Sequence, residues 1–229
     1  MLHIRTPLIL HPGLSTPTRR IWLKLENLQP SGSFKLRGMG LLCSQAAEQG
    51  KRKVVCPSGG NAGLATAVAA ANLGLKACIV VPNTTPETTR ARIRKTGAEV
   101  IVHGKVWDEA NQRAKELAQG ADTEYVPAFD HPVLWEGHST MIDEILEDCP
   151  QVDALVTSVG GGRIAGGPAH RPDPSSAHGL SDRCMRNPGG GVVRCRHRCR
   201  APGQTAAHRH RCHVTRRRAS GRLAGAAHP

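Results

Sequence analysis

The first 162 residues are predicted to fold as an α/β protein with open parallel sheets flanked by helices. Three observations carry that expectation. From Val54 to Val156, short β-branched runs alternate with alanine-rich or amphipathic stretches, the strand-helix rhythm that places successive strands parallel. Gly and Pro stand at the joins, where helices stop or start. The pattern then ceases near Arg163, together with the composition that supports it.

Taken in order, the strands are expected at Ile21–Leu25, Val54–Cys56, Cys78–Val81, Val100–His103, Tyr125–Val126 and Ala154–Ser158, and the helices at Phe34–Gln49, Ala62–Leu73, Pro86–Lys95, Val106–Ala118 and Gly137–Leu146. Pro86 suits a first helical turn, where its missing N–H costs nothing, with Thr85 before it as the cap. Gly74 and Gly97 follow helices where a left-handed residue is wanted. The run from Ala62 to Ala71 is apolar nearly all round with small side chains, which suits a helix packed inside, close against a sheet.

Charge separates the chain into two regimes. The net charge of +13 lies almost wholly at one end: residues 1–162 hold 17 Lys and Arg against 16 Asp and Glu, and residues 163–229 hold 14 against 2. All 14 are Arg, no aromatic residue follows Trp135, and only seven of the last 67 residues are Ile, Leu, Val or Met. So little apolar surface cannot offset the entropy of ordering, and residues 163–229 are expected to be disordered, forming no domain. Arg, Ala, Gly and Pro fill 39 of those 67 positions. These are amino acids of GC-rich codons, so out-of-frame or intron translation is a second origin for the segment.

Cys43, Cys56, Cys78 and Cys149 are scattered among apolar residues and read as reduced thiols, with no disulfide framework. In the tail, Cys195, His197, Cys199, His208, His210, Cys212 and His213 lack the paired C-x-x-C or C2H2 spacing of a zinc site, so no metal is expected. Arg216, Arg217 and Arg218 offer nonspecific attraction to nucleic acid, but no aromatic side chain accompanies them to stack bases. The amino terminus lacks the pattern of a leader, no apolar run reaches the roughly 20 residues that span a bilayer, and a cytoplasmic location is expected.

Three glycine-containing motifs stand in order along the first 162 residues. Pro30-Ser31-Gly32-Ser33-Phe34-Lys35-Leu36-Arg37-Gly38 presents one lysine at the start of a helix. There an amine becomes a nucleophile toward an aldehyde if burial lowers its pKa; a plain surface lysine is the alternative. Cys56-Pro57-Ser58-Gly59-Gly60-Asn61-Ala62-Gly63 joins a strand to a helix, a turn whose N–H groups can face an anion. Ser158-Val159-Gly160-Gly161-Gly162 follows the last strand and permits close approach of backbone to a phosphate. Each of the last two would be an ordinary turn if it stood alone.

Together these strings resemble the fold type II pyridoxal-phosphate enzymes of the tryptophan synthase beta-like family, specifically the L-serine and L-threonine dehydratases. Val80-Val81-Pro82-Asn83 and Pro127-Ala128-Phe129-Asp130-His131-Pro132 agree with the same family. The resemblance implies that Lys35 carries pyridoxal 5'-phosphate with Phe34 beside its ring. Ser58, Gly59, Gly60, Asn61 and Ala62 would grip the substrate carboxylate, Asn61 would also meet the ring hydroxyl, and Gly160, Gly161 and Gly162 would hold the phosphate. It further implies a homodimer that acts on an amino acid, removing the β-hydroxyl of serine or threonine to give pyruvate or 2-oxobutanoate and ammonia. A partial large domain is expected over 1–40 and 132–162, and a small α/β domain over 41–131. The family's second half has no visible counterpart after Arg163, so the large domain is expected to be incomplete and the chain by itself inactive.

Overall fold

The computed structural model describes residues 1–159 and 191–196. Strands β1 (Leu8–Leu10) and β2 (Trp22–Lys24) form an antiparallel pair near the amino terminus. They are followed by α1 (Lys35–Glu48), β3 (Lys53–Cys56), α2 (Asn61–Leu73), β4 (Lys76–Val81), α3 (Glu87–Arg94), β5 (Glu99–Val102), α4 (Trp107–Leu117), β6 (Thr123–Tyr125), α5 (Pro132–Asp148) and β7 (Ala154–Val159). A four-stranded parallel sheet of order β5-β4-β3-β6 organises the middle of the chain.

Alternation along its two inner strands builds two apolar layers. Val54 and Cys56 of β3 and Ile79 and Val81 of β4 join one cluster with α1 and α2, whereas Val55, Cys78 and Val80 face Ala110 and Ala114 of α4. All seven strand residues are fully buried, the condition of a parallel sheet covered on both faces. The alanine-rich helix lies inside as expected. Gly63 approaches the Ser58 carbonyl so closely that a Cβ there would overlap it.

α1 and α5 cross on glycine. A Cβ at Gly137 would lie 2.5 Å from the Arg37 carbonyl oxygen and 2.6 Å from the Gly38 Cα. Both neighbours are backbone and cannot rotate away. Gly137→Ala is therefore expected to cost about 2–3 kcal/mol through overpacking. Gly40→Ala, whose Cβ would meet only Leu2 at 3.4 Å, should instead be neutral or stabilising by up to about 1 kcal/mol. Chemical denaturation of both variants checks the contrast.

Several expected boundaries shift. α5 begins five residues early, at Pro132, because His131 caps it through Nδ1, which accepts from the Val133 N–H at 3.3 Å. Pro86 is the N-cap of α3 rather than a first-turn residue, and no side chain caps that helix. Thr85 instead packs on Gly59, 2.6 Å from where a Cβ would stand. β1 was not expected from the sequence.

The tail also departs from expectation in one stretch. β8 (Gly191–Arg196) pairs antiparallel with β7 over six residues, from Ala154↔Arg196 to Val159↔Gly191, where disorder was expected throughout 163–229. Val192 and Val193 are β-branched, and a ladder satisfies backbone groups whatever the average composition of the surrounding segment. The rest of the tail, with most of its Cys and His residues and its Arg run, lies outside the described residues.

Candidate active site

The order β5-β4-β3-β6 reverses direction between β3 and β6: the chain steps outward from β3 to β5, then returns to lay β6 on the other side of β3. In open parallel sheets, loops leaving two such strands diverge, and the crevice at their carboxyl ends is where ligands bind. Here those loops are Pro57–Gly60 after β3 and the segment from Val126 to His131 after β6.

Lys35, the first residue of α1, reaches this crevice. Its Nζ donates to the Ala128 carbonyl at 3.0 Å and lies 5.5 Å from the centroid of the Phe34 ring. Burial lowers the amine's pKa, opposed by the neighbouring Cys56 thiol at the end of β3. The Cys56 thiol is itself pushed up to about 12 by burial, so it stays protonated. Among the described residues no carboxylate forms an ion pair with Lys35. A half-buried amine anchored by one carbonyl yields its proton more readily than a surface lysine.

Phe34 is half-buried and meets the His138 ring edge to face at 5.0 Å. His138 is 4% exposed, packs on Gly38, and neither ring nitrogen has a hydrogen-bond partner among the described residues. Burial first, then the charges of Lys35 and Arg37, push its pKa down to about 3. The ring beside Phe34 is neutral.

On the β3 side, Ser58 and Gly59 are half-buried, Gly60 and Asn61 are exposed, and Ala62 is buried beneath them. The Gly60 N–H donates to Ser58 Oγ at 3.3 Å. Gly60 is the N-cap of α2, and no side chain caps that helix, which leaves its first-turn donors facing outward, suited to an anion. Trp107 Nε1 donates to the Pro57 carbonyl at 2.7 Å, and its ring stands 5.4 Å from that of Phe129. Asp130 adopts φ +60°, the one left-handed non-glycine among the described residues, a strain that clusters at functional loops. Gly160, Gly161 and Gly162 lie outside the described residues.

The sequence singled out no partner for Arg37, which is fully buried two residues after Lys35. Its guanidinium makes paired hydrogen bonds to Glu26 (2.8 and 2.7 Å) and to Glu144 (2.7 and 2.8 Å), and a further bond to Thr140 Oγ1 at 2.9 Å. Lys24 adds a 2.6 Å contact to Glu144. Burial alone would raise the Glu144 carboxyl, but hydrogen bonds from Arg37 and Lys24 overcome it and hold the group at about 2. Glu26 is likewise lowered, its burial outweighed by Arg37 and Thr6. The network joins β2, the turn after it, α1 and α5, and so anchors the helix turn that begins at Lys35. Separations of 11 and 107 residues left no local pattern by which to find it.

The family model of the pyridoxal-phosphate-dependent enzymes matches residues 1–171. The chain belongs to that family. It is 49% identical over 177 residues to an L-serine dehydratase of Dictyostelium discoideum, an alignment covering 70% of this chain and 51% of the relative. With a human serine dehydratase-like protein it shares 48% identity over 169 residues, covering 72% and 51%. The crystal structure of a fungal L-serine ammonia-lyase from Rhizomucor miehei superposes with a TM-score of 0.64 at 37% identity, covering 71% of this chain and 53% of that one. The chain thus spans about half the length of these relatives.

The family's cofactor is pyridoxal 5'-phosphate, an aldehyde carrying a phosphate and a phenolic hydroxyl. The residues present fit its aldehyde: Lys35 is an amine lowered by burial and free of any carboxylate ion pair among the described residues. The N-terminus of α2, which no side chain caps, has the chemistry that suits an anionic group.

Proposed function

We propose that this chain is the cofactor-holding part of an L-serine ammonia-lyase, with L-threonine as a second substrate. The observation that carries the reading is the half-buried Lys35 amine at the crevice between β3 and β6, whose Nζ donates to the Ala128 carbonyl. Lys35 would hold the cofactor's aldehyde, with Phe34 beside the ring and Asn61 at the ring hydroxyl. The uncapped turn from Ser58 to Ala62 would take the substrate carboxylate, and Gly160, Gly161 and Gly162 the phosphate.

When bound, the cofactor supplies electron withdrawal from the substrate Cα. The chain's own task is to place a base. Once the substrate's own amine has replaced it at the aldehyde, Lys35 would be a free amine able to take the Cα proton. The Phe34 ring and its neutral partner His138 make one wall apolar and uncharged, so no second cation competes for the substrate carboxylate. Loss of the β-hydroxyl then leads to pyruvate from serine or 2-oxobutanoate from threonine, with ammonia.

The same reading carries a cytoplasmic location, a place in amino-acid metabolism and a homodimeric assembly, each an extension of the family likeness. It also divides the chain into a small domain over 41–131 and a large-domain portion over 1–40 and 132–162. In support, β3 to β6 and α2 to α4 fall within 41–131 and form one parallel sheet with its covering helices.

Borohydride reduction of the chain incubated with pyridoxal 5'-phosphate, followed by peptide mass spectrometry, tests the reading. The phosphopyridoxyl group is expected on the peptide containing Lys35 and absent from Lys35→Ala. Labelling of other lysines in preference to Lys35 would overturn it. Pyruvate or 2-oxobutanoate release then ranks the two substrates.

A further inference from the structure

The geometry points to Trp107 as a positioning residue that holds the β3–α2 turn and the β6–α5 loop at a fixed separation across the crevice, and thereby sets the grip on the amino-acid substrate. The inference rests on the Lys35 reading for its link to substrate, not for the contacts themselves. One of the two contacts of Trp107 is a directed bond. The indole N–H donates to the Pro57 carbonyl at 2.7 Å, the residue just before the turn from Ser58 to Ala62. The other is ring packing. Phe129, 5.4 Å away across a 32° tilt, directly follows Ala128, whose carbonyl receives the Lys35 amine.

A single side chain on the first turn of α4 thus touches both loops that leave the switch-point strands. Its reach is needed because the loops leaving those strands diverge: among the described residues no backbone hydrogen bond between the two continues beyond that from the Val126 N–H to the Val55 carbonyl. The β3–α2 turn is held from its other side as well, since Gly59 packs on Thr85 at a distance that excludes a Cβ. With Thr85 behind and Trp107 beside it, the turn has little freedom to widen. Phe129 is 44% exposed and so adds rim to the crevice rather than core to the sheet, which fits a contact that serves the crevice and not overall stability.

Trp107→Phe tests this, because it keeps an aromatic ring toward Phe129 while removing the N–H together with the pyrrole half of the indole. The 229-residue chain and the variant are compared by melting temperature, by amide hydrogen exchange, by covalent attachment of pyridoxal 5'-phosphate to Lys35, and by titration of the loaded chain with L-serine, followed through the absorbance of the bound cofactor. The expected result is an unchanged melting temperature and unchanged attachment, faster exchange confined to 57–62 and 126–130, and L-serine binding weakened about three- to tenfold, the scale of one hydrogen bond. Unchanged exchange in those segments, exchange rising throughout the chain, or unaltered L-serine affinity would each overturn the proposal. If the parent chain takes no cofactor on Lys35, the Lys35 reading fails, and exchange in the two segments still decides whether Trp107 holds them. Phe129→Leu, which spares the N–H, should loosen 126–130 more than 57–62; the reverse order also counts against the assignment.

Discussion

Arg37→Leu is expected to remove about 3–5 kcal/mol of stability, the cost of stranding buried carboxylates whose cation has gone. Glu26 and Glu144 each place both oxygens on the guanidinium, and Arg37 is fully buried. Water cannot replace it. The carboxylates retain other donors, Lys24 for Glu144 and Thr6 for Glu26, so the loss should stay within that range rather than abolish folding outright. Neutralising the acids in the same background, with Glu26→Gln and Glu144→Gln, should recover part of it, because an unpaired amide is cheaper to bury than an unpaired charge. By contrast, breaking the exposed Arg113 pair with Glu116 should change stability by less than about 0.5 kcal/mol. Urea titrations of the four variants measure the ranking, and a loss below about 1 kcal/mol for Arg37→Leu would refute the account. Because the network anchors the turn that begins at Lys35, cofactor attachment should slow in the same variant.

Acid should destabilise the fold from near neutrality, with His138 leading. An unfolded imidazole protonates near 6.5, whereas burial and the charges of Lys35 and Arg37 hold the folded one at about 3. Between those values the unfolded chain binds a proton that the folded chain refuses. Stability therefore falls as pH drops from 6.5 toward 3, by up to about 5 kcal/mol over the whole window. His3, also lowered, first by burial and then by Arg37, adds to the same slope. The carboxylates act in the same direction but later. Glu144, held at about 2, contributes stability that is present above its unfolded value of 4.5 and lost as pH falls through 2. His138→Leu should thus flatten most of the decline between pH 6.5 and 4.5 and leave below 4.5 only the carboxylates' share of the loss, read as unfolding free energy at each pH. A slope unchanged in the variant would show that His138 does not carry it.

The parallel α/β core was legible because its signals are local. Val54, Val55, Ile79, Val80 and Val81 form continuous apolar runs, and the alanine helix between the two runs packs where small side chains are wanted. The family was legible for another reason: the motif around Lys35 is a contiguous string, so likeness to a family survives in one dimension. Boundaries were less so. Thr85 has the chemistry of a cap, but the close pass of Gly59 gives it a packing role that no spacing in the sequence encodes. β8 was missed because composition averaged over 67 residues hides two adjacent valines that need only a partner strand.

By itself, then, the sequence determined the fold class and the family, and singled out Lys35 as the candidate lysine, since periodicity, turn chemistry and contiguous motifs all act between residues a few positions apart. Tertiary structure alone decided what surrounds that lysine. The Ala128 carbonyl at its amine, the neutral His138 behind Phe34, the Trp107 tie from Pro57 to Phe129, and the Arg37 clamp on Glu144 join residues separated by 22 to 107 positions. Such pairings are set by how α1, α5 and the sheet pack, and their energies depend on burial, which exists only once the chain has folded.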